Sequence, residues 1–339
     1  MATMMQAPRI AVIGCGAIAE MFYLPALARF PAVIQTLVLV DSNPKRLQEL
    51  GERFNVGQRV QYYDEIAERV DGAIVALPHQ LHYRVSMDFL GRGAHVLCEK
   101  PLAESASQAQ EMIAQSERAG VTLAVNNTRR LFPAYSKVKE LIAQGEVGEP
   151  VALRYVDGER FNWPTASGFY FKGRKRGVLF DRGAHGLDAI CWWLGGKPNL
   201  VKSENDSFGG VEGVASVEFE RGKCRGQAHF NWLNKLENRY CVVGESGAIE
   251  SGIEDWWALK VKSKSGKAKL IRLTAPEKTY NDFATRLVAN FIDVVEGRAQ
   301  PLVPARAVLD SLEFIDECYQ RATRYWMPWY DNWESRDGG

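Results

Sequence analysis

No apolar stretch in this 339-residue chain reaches the ~18 residues needed to cross a bilayer, and Met1 to Ala7 lack the basic start of a secretory leader. A soluble, cytoplasmic protein is expected. Charge of one sign is also missing. The 42 basic side chains face 41 acidic ones, so no global field recruits nucleic acid or an anionic membrane, and an anionic substrate needs a local cluster. The six cysteines show no C-x-x-C spacing and read as reduced thiols. The five histidines, His79, His82, His95, His185 and His229, form no H-E-x-x-H motif or thiolate cluster, so no metal is expected. Internal repeats and low-complexity linkers are absent too. With 46% hydrophobic residues, the chain can bury a sizeable core, most simply as two domains.

The apolar run Ile10-Ala-Val-Ile stops at Gly14-Cys-Gly16-Ala17-Ile18-Ala19, a G-x-G-x-x-A turn. Gly14 permits the tight turn, Gly16 lets the backbone approach a pyrophosphate, and Ala19 lets the following helix pack close to the sheet. That helix start offers unpaired N–H groups to the phosphates. A second run, Leu37 to Val40, ends in Asp41, near the offset of about 20 residues expected for the acid on the adenosine ribose. Asp41 favours NAD over NADP, although Arg46 or Lys45 would partly offset its repulsion of a 2′-phosphate. The lesser reading of Asp41 is a helix cap before Pro44.

Strand and helix patterns then alternate: a helix from Pro44 to about Phe54, strands near Val60–Tyr63 and Gly72–Ala76, a helix about Tyr83–Gly91, a strand at Ala94–Leu97, a helix about Ser105–Ala119 and a strand at Val121–Val125. This predicts an α/β fold opening with a doubly wound parallel sheet, a Rossmann domain over 1–127. Gly14, Asp41, Pro78, Glu99 and Asn126 then line one crevice at the strand ends. Beyond it, a helix about Tyr135–Gln144 and one strong helix precede consecutive strand-like runs: Ala215–Glu220, Arg225–Leu233, Arg239–Gly244, Ala248–Ser251 and Trp256–Lys262. A mostly antiparallel sheet follows, in a second domain over 128–339. Helices about Asn281–Gly297 and Ala305–Arg324 close the chain, and either can pack back on the first domain.

Two segments carry candidate chemistry. Cys98-Glu99-Lys100-Pro101 follows a parallel strand, where a charged pair can reach a nicotinamide, and the proline raises the chance of a cis bond. Gly177-Val-Leu-Phe-Asp181-Arg-Gly183-Ala-His185-Gly-Leu-Asp188, read as a helix, aligns Asp181, His185 and Asp188 on one face. Carboxylates a turn away on both sides of His185 would set its tautomer and pKa.

G-x-G-x-x-A, then E-K-P, then D-x-G-x-H, in this order over nearly the whole chain, resembles the glucose-fructose oxidoreductase/inositol dehydrogenase/MocA (Gfo/Idh/MocA) family. Ala76-Leu77-Pro78-His79-Gln-Leu-His82, Arg129-Arg130-Leu-Phe-Pro133 and Gly145-Glu-Val-Gly148-Glu-Pro150 extend the resemblance. It implies a Rossmann domain followed by an α/β domain whose large open sheet serves oligomer contacts, hence a homodimer or homotetramer. It also implies Lys100, Asp181 and His185 as the catalytic trio, Glu99 beside the nicotinamide, and Leu77, Pro78 and His82 near its ribose.

The expected activity is hydride transfer between NAD, or alternatively NADP, and a secondary hydroxyl or ketone of a sugar, cyclitol or phospho- or nucleotide-sugar. His185 is the expected acid/base, and Lys100 the stabiliser of the oxygen's developing charge. Asp181 either orients the imidazole or binds a neighbouring hydroxyl. Cofactor contacts are expected from Gly14, Gly16, Ala17, Ile18, Ala19, Asp41, Arg46, Leu77, Pro78, His82, Glu99, Lys100 and Asn126. Substrate contacts are expected from Lys100, Arg160, Trp163, Arg174, Asp181 and His185. A cofactor-binding sensor without turnover, or an imine or tetrapyrrole reductase, are the rival readings.

Two departures stand out. A basic stretch, Lys172-Gly-Arg174-Lys175-Arg176, replaces the family's glycine-rich one and is either an anion-binding lip or a solvated loop. Thr128 stands where asparagine is commoner, which puts one polar contact in doubt. Aromatic Phe161, Trp163, Phe169, Tyr170 and Phe171 precede the D-x-G-x-H helix and suit either sugar stacking or core packing. The aromatic tail, Tyr325 to Trp333, is expected to dock on the body or on another subunit.

Overall fold

A computed structural model describes residues 7–164, 168, 171, 176–207 and 210–326. Its first sheet is six-stranded and wholly parallel. It comprises β1 (Ile10–Ile13), β2 (Val38–Val40), β3 (Gln58–Val60), β4 (Gly72–Val75), β5 (His95–Glu99) and β6 (Leu123–Asn126), in the order β3-β2-β1-β4-β5-β6. Strands β1, β2 and β4 are buried along their whole length, so they read as unbroken apolar runs, as strands covered on both faces do. The order reverses between β1 and β4, and that reversal opens a crevice beyond their carboxyl ends.

Strand β3 ends at Val60 rather than continuing to Tyr63. The Glu65 carboxylate accepts the N–H groups of Gln61 and Tyr62, both at 3.0 Å, and draws the chain into a 3₁₀ turn at Tyr63–Glu65. The helix expected from Tyr83 begins four residues earlier, at His79, in a first turn whose weak apolar periodicity hides it in the sequence. Asn43, not Asp41, caps the helix Pro44–Arg53.

The second sheet has nine strands: β7 (Pro150–Gly158), β8 (Asn199–Asn205), β9 (Val214–Arg221), β10 (Cys224–Asn231), β11 (Arg239–Gly244), β12 (Gly247–Gly252), β13 (Ala258–Ser263), β14 (Ala268–Arg272) and β15 (Thr323–Arg324). Their order is β14-β13-β12-β11-β7-β10-β9-β8-β15, antiparallel except at β7/β10 and β8/β15. Strand β7 lies at the centre, yet Arg154 and Asp157 break its apolar pattern and hide it in the sequence. Edge strand β14, Ala-Lys-Leu-Ile-Arg, is largely exposed and equally inconspicuous.

The helix Gly183–Leu194 lies on this sheet. Gly186 makes the approach possible, since a Cβ there would stand 2.6 Å from a Phe230 ring atom and 2.7 Å from one of Tyr155. The last helices clamp the two sheets together. Tyr280–Val295 presses against Gly72 of β4, and the Ala106 N–H donates to Asp316 of the helix Leu309–Gln320 at 2.7 Å. The single helix expected over Ala305–Arg324 is instead a 3₁₀ turn, Ala305–Val308, then Leu309–Gln320, then β15 at the sheet edge.

Asp188 belongs to this clamp and not to a catalytic face. Its two oxygens accept Arg130 Nε and Nη2, both at 2.8 Å, while Ser311 of the last long helix reaches the same carboxylate. Replacing Asp188 by Ala leaves the largely shielded Arg130 guanidinium without its counter-charge, and should cost about 3 kcal/mol of stability in denaturant titrations. A loss under about 1 kcal/mol, typical of an exposed pair, would contradict this structural role.

Candidate active site

The glycine turn lies where β1 enters the crevice. Gly14 has φ +100°, and a Cβ there would stand 2.4 Å from the Ala76 carbonyl oxygen, so only glycine fits between the ends of β1 and β4. Gly16 is the opposite case. It is exposed, a Cβ would meet nothing within 4 Å, and the open space in front of its backbone suits a pyrophosphate. Ala19 is fully buried and opens a π-helical segment, Ala19–Tyr23, that runs into Leu24–Leu27, while Ala17 and Ile18 stay partly open. The turn thus fits a dinucleotide.

Asp41 accepts the Cys15 N–H at 2.7 Å and the Asn43 N–H at 2.8 Å, which holds its carboxylate beside the glycine turn. Arg46 pairs with Glu20 at 2.7 Å and Glu49 at 2.9 Å and donates to the Cys15 carbonyl. Leu77 and Pro78 line the crevice edge after β4. His82 is fully buried behind them, with Nδ1 at 2.8 Å from the Pro101 carbonyl and Nε2 at 2.8 Å from that of Leu77. Burial keeps its pKa below the usual histidine value. The ring therefore ties together the two turns that follow β4 and β5.

Glu99 closes β5 and is nearly buried. Its Oε1 accepts Tyr23 OH at 2.7 Å and Asn126 Nδ2 at 2.6 Å, and its Oε2 accepts the Lys100 N–H at 3.2 Å. Thr128 Oγ donates to Asn126 Oδ1 at 2.5 Å and accepts Tyr280 OH at 3.1 Å. Thr128, where asparagine is commoner, is thus bound on both sides within the protein. Burial pushes the Glu99 pKa up.

Lys100 follows at a cis Lys100–Pro101 bond. Its Nζ donates to Asp181 Oδ1 at 2.5 Å and to the Asp181 carbonyl at 3.3 Å, with both side chains largely shielded from solvent. Asp181 ends a short helix, Val178–Asp181, and the main helix starts only at Gly183. The expected shared face of Asp181, His185 and Asp188 does not act as one: Asp181 turns to Lys100, while Asp188 is buried and bound by Arg130 and Ser311. No hydrogen bond joins Asp181 to the imidazole. Instead, His185 Nδ1 lies 3.1 Å from Asn127 Oδ1.

The His185 pKa is held well below the usual value by burial and then by the positive charges of Lys100, Arg129 and Arg182. Behind this group, buried Asp157 at the end of β7 accepts Arg129 Nη1 at 2.7 Å on one oxygen and Arg182 Nη1 on the other. Asn127, Asp157 and Arg182 escape sequence reasoning. The first sits beside the more obvious Asn126, and Arg182 fills an unspecified position of D-x-G-x-H.

The expected substrate residues are spread out. Trp163 stacks over Phe22 next to the glycine-turn helix, with centroids 6.4 Å apart. Arg160 is exposed on the rim of an open cavity of about 970 Å³ that Phe161, Phe171, Trp232 and Glu212 also line. Glu212 accepts the N–H groups of Gly177 and Leu179, so this cavity abuts the start of the Asp181 helix. Phe169, Tyr170, Lys172 to Lys175 with Arg174, and the tail beyond Trp326 lie outside the described residues. Arg176, by contrast, is committed to structure: it pairs with Asp316 at 3.0 Å and lies over the Phe180 and Tyr319 rings.

Residues 8–127 match the family model described as an oxidoreductase family with an NAD-binding Rossmann fold, and residues 135–250 match the Gfo/Idh/MocA C-terminal domain. The chain is 26% identical over 315 residues to a 1,5-anhydro-D-fructose reductase of Ensifer adhaerens, covering 86% of this chain and 90% of that protein. It is 28% identical over 251 residues to a trans-1,2-dihydrobenzene-1,2-diol dehydrogenase of Oryctolagus cuniculus, covering 73% and 75% respectively. A 3-ketoreductase from Actinomadura kijaniata, crystallised with NADP and TDP-benzene, shares the fold with a TM-score of 0.80 at 23% identity, over 95% of this chain and 100% of that one. With both sheets, the glycine crevice and the two family matches in agreement, the chain belongs to the Gfo/Idh/MocA family of NAD(P)-dependent oxidoreductases.

Proposed function

We propose that this oxidoreductase moves hydride between NAD(P) and a ring carbon bearing a hydroxyl or ketone, on a sugar, a cyclitol or a phospho- or nucleotide-sugar. The observation that carries the reading is the Lys100–Asp181 contact of 2.5 Å. It joins the turn after β5, at the crevice that suits the dinucleotide, to the segment that carries His185. The relatives named above also point to small cyclic alcohols and ketones.

The nicotinamide, when bound, supplies hydride acceptance or donation. Protein groups manage the proton and the charge. Lys100 donates a hydrogen bond to the reacting oxygen and stabilises its developing negative charge, while Asp181 holds the ammonium in place. His185 takes the hydroxyl proton during oxidation and returns it during reduction. Its lowered pKa keeps the imidazole neutral, hence ready as a base, at neutral pH.

NAD is the preferred cofactor. Asp41 repels a 2′-phosphate, and Arg46 is already engaged by Glu20 and Glu49. We assign 1–127 to cofactor binding and 128–339 to substrate binding and self-association, because the chain changes sheets after Asn126. The solvent face of the second sheet is the proposed contact in a homodimer or homotetramer. Among the described residues no helix can cross a membrane, and the six free cysteines suit the cytoplasm.

Absorbance of reduced nicotinamide, followed across polyols, free sugars, sugar phosphates and nucleotide sugars, tests the activity. Turnover of none, with cofactor bound tightly, would favour a sensor instead. Lys100→Met and His185→Asn should each lower kcat about 10²- to 10⁴-fold with cofactor affinity little changed. On the pH axis, oxidation should hold its rate as pH falls through 6.5 and decline only below it, since the base protonates below the ordinary histidine value. An acid limb at or above that value contradicts the assignment. Finally, Asp41→Ser should narrow the NAD:NADP ratio of kcat/KM by about tenfold, the effect of ~1.4 kcal/mol; an unchanged ratio would remove Asp41 from cofactor selection.

A further inference from the structure

We infer that Asn127 is a positioning residue that fixes His185 as the Nδ1–H tautomer, so that Nε2 is the atom that exchanges the proton with substrate. The inference rests on His185 being the acid/base group, as proposed above. Three observations support it.

Asn127 is buried, 2% exposed, and its backbone is pinned on both sides: its N–H donates to the Val125 carbonyl at 2.9 Å and its carbonyl accepts the Arg130 N–H at 3.0 Å. Its amide is pinned as well, because Nδ2 donates to the Ala184 carbonyl at 3.3 Å. A carbonyl can only accept, so the amide nitrogen must face Ala184 and the amide oxygen must face His185. The ring atom 3.1 Å from that oxygen must then carry a hydrogen. In a neutral imidazole, the other nitrogen is left as the lone-pair base.

An amide suits this place better than a carboxylate. A carboxylate on Nδ1 would stabilise the imidazolium and make the ring a base that is already protonated near neutrality. The charged groups around His185 act the other way: Lys100 from the turn after β5, Arg129 from the 3₁₀ turn Thr128–Leu131, and Arg182 from the helix junction. The nearby acids are committed elsewhere, Asp181 to Lys100 and Asp157 to the two arginines. Asn127 orients the ring without adding charge.

The ¹⁵N shifts of His185 in the cofactor-free protein, assigned by comparison with His185→Asn, read the tautomer directly. A protonated Nδ1 and bare Nε2 are expected, and the reverse would overturn the inference. Asn127→Asp should preserve the tautomer and keep kcat within a fewfold at high pH, but move the acid limb of oxidation up by about one pH unit or more. Asn127→Leu should lower kcat by about tenfold or more, with the KM for cofactor unchanged. A folded Leu variant with the parent kcat and pH profile, or an Asp variant whose acid limb does not move, would also overturn it. If His185→Asn abolishes turnover while both Asn127 variants behave as the parent, this inference fails alone. If His185→Asn remains active, the acid/base assignment itself falls.

Discussion

The ion pair between Lys100 and Asp181 is the joint on which the arrangement depends. One partner stands just beyond a largely buried parallel strand and the other at the end of a short helix that belongs to the second sheet's half of the chain. Each side is stiffened by its own surroundings. On the strand side, the buried chain Tyr280, Thr128, Asn126, Glu99 and Tyr23 fixes the turn from which Lys100 emerges. On the helix side, Gly186 lets Gly183–Leu194 lie directly on Tyr155 and Phe230, which sets the height at which His185 projects.

Electrostatics follow from that joint. Lys100, Arg129 and Arg182 surround a largely buried imidazole, and Asp181 and Asp157 are engaged with those same cations. Low local polarity makes each of these charges count for more than it would in water. The outcome is an imidazole biased to its neutral form beside a fixed ammonium, which suits the proposed pairing of a proton acceptor with a charge stabiliser. An alcohol oxygen that loses its proton as the carbon loses hydride needs both.

Much of this was legible in the residues themselves. The parallel sheet shows because strands covered on both faces are unbroken apolar runs, and the cofactor turn shows because Gly14 has no sterically possible substitute. The spacing of Asp181 and His185 marks the segment that meets Lys100. Yet helical spacing alone wrongly adds Asp188, because it cannot reveal that Arg130 and Ser311, distant in sequence, claim that buried carboxylate. Strand β7 and the Asp157 bridge stayed hidden, because a strand that carries buried charge breaks the alternation by which strands are recognised. Arg176 looked like part of an anion site, but its partner, Asp316, is 140 residues away in sequence. Asn127 carries no motif at all, and its role exists only once the fold brings Ala184 and His185 to either side of one amide.

On the proposed reading, the ammonium of Lys100 and the imidazole of His185 act on one oxygen. The most direct measurement is a double-mutant cycle on kcat, combining Lys100→Met with His185→Asn. Groups that serve the same oxygen as a unit are strongly non-additive, so the double variant should be about as active as the weaker single variant. A double loss equal to the product of the two single losses would mean that the residues act independently, and the account would be wrong.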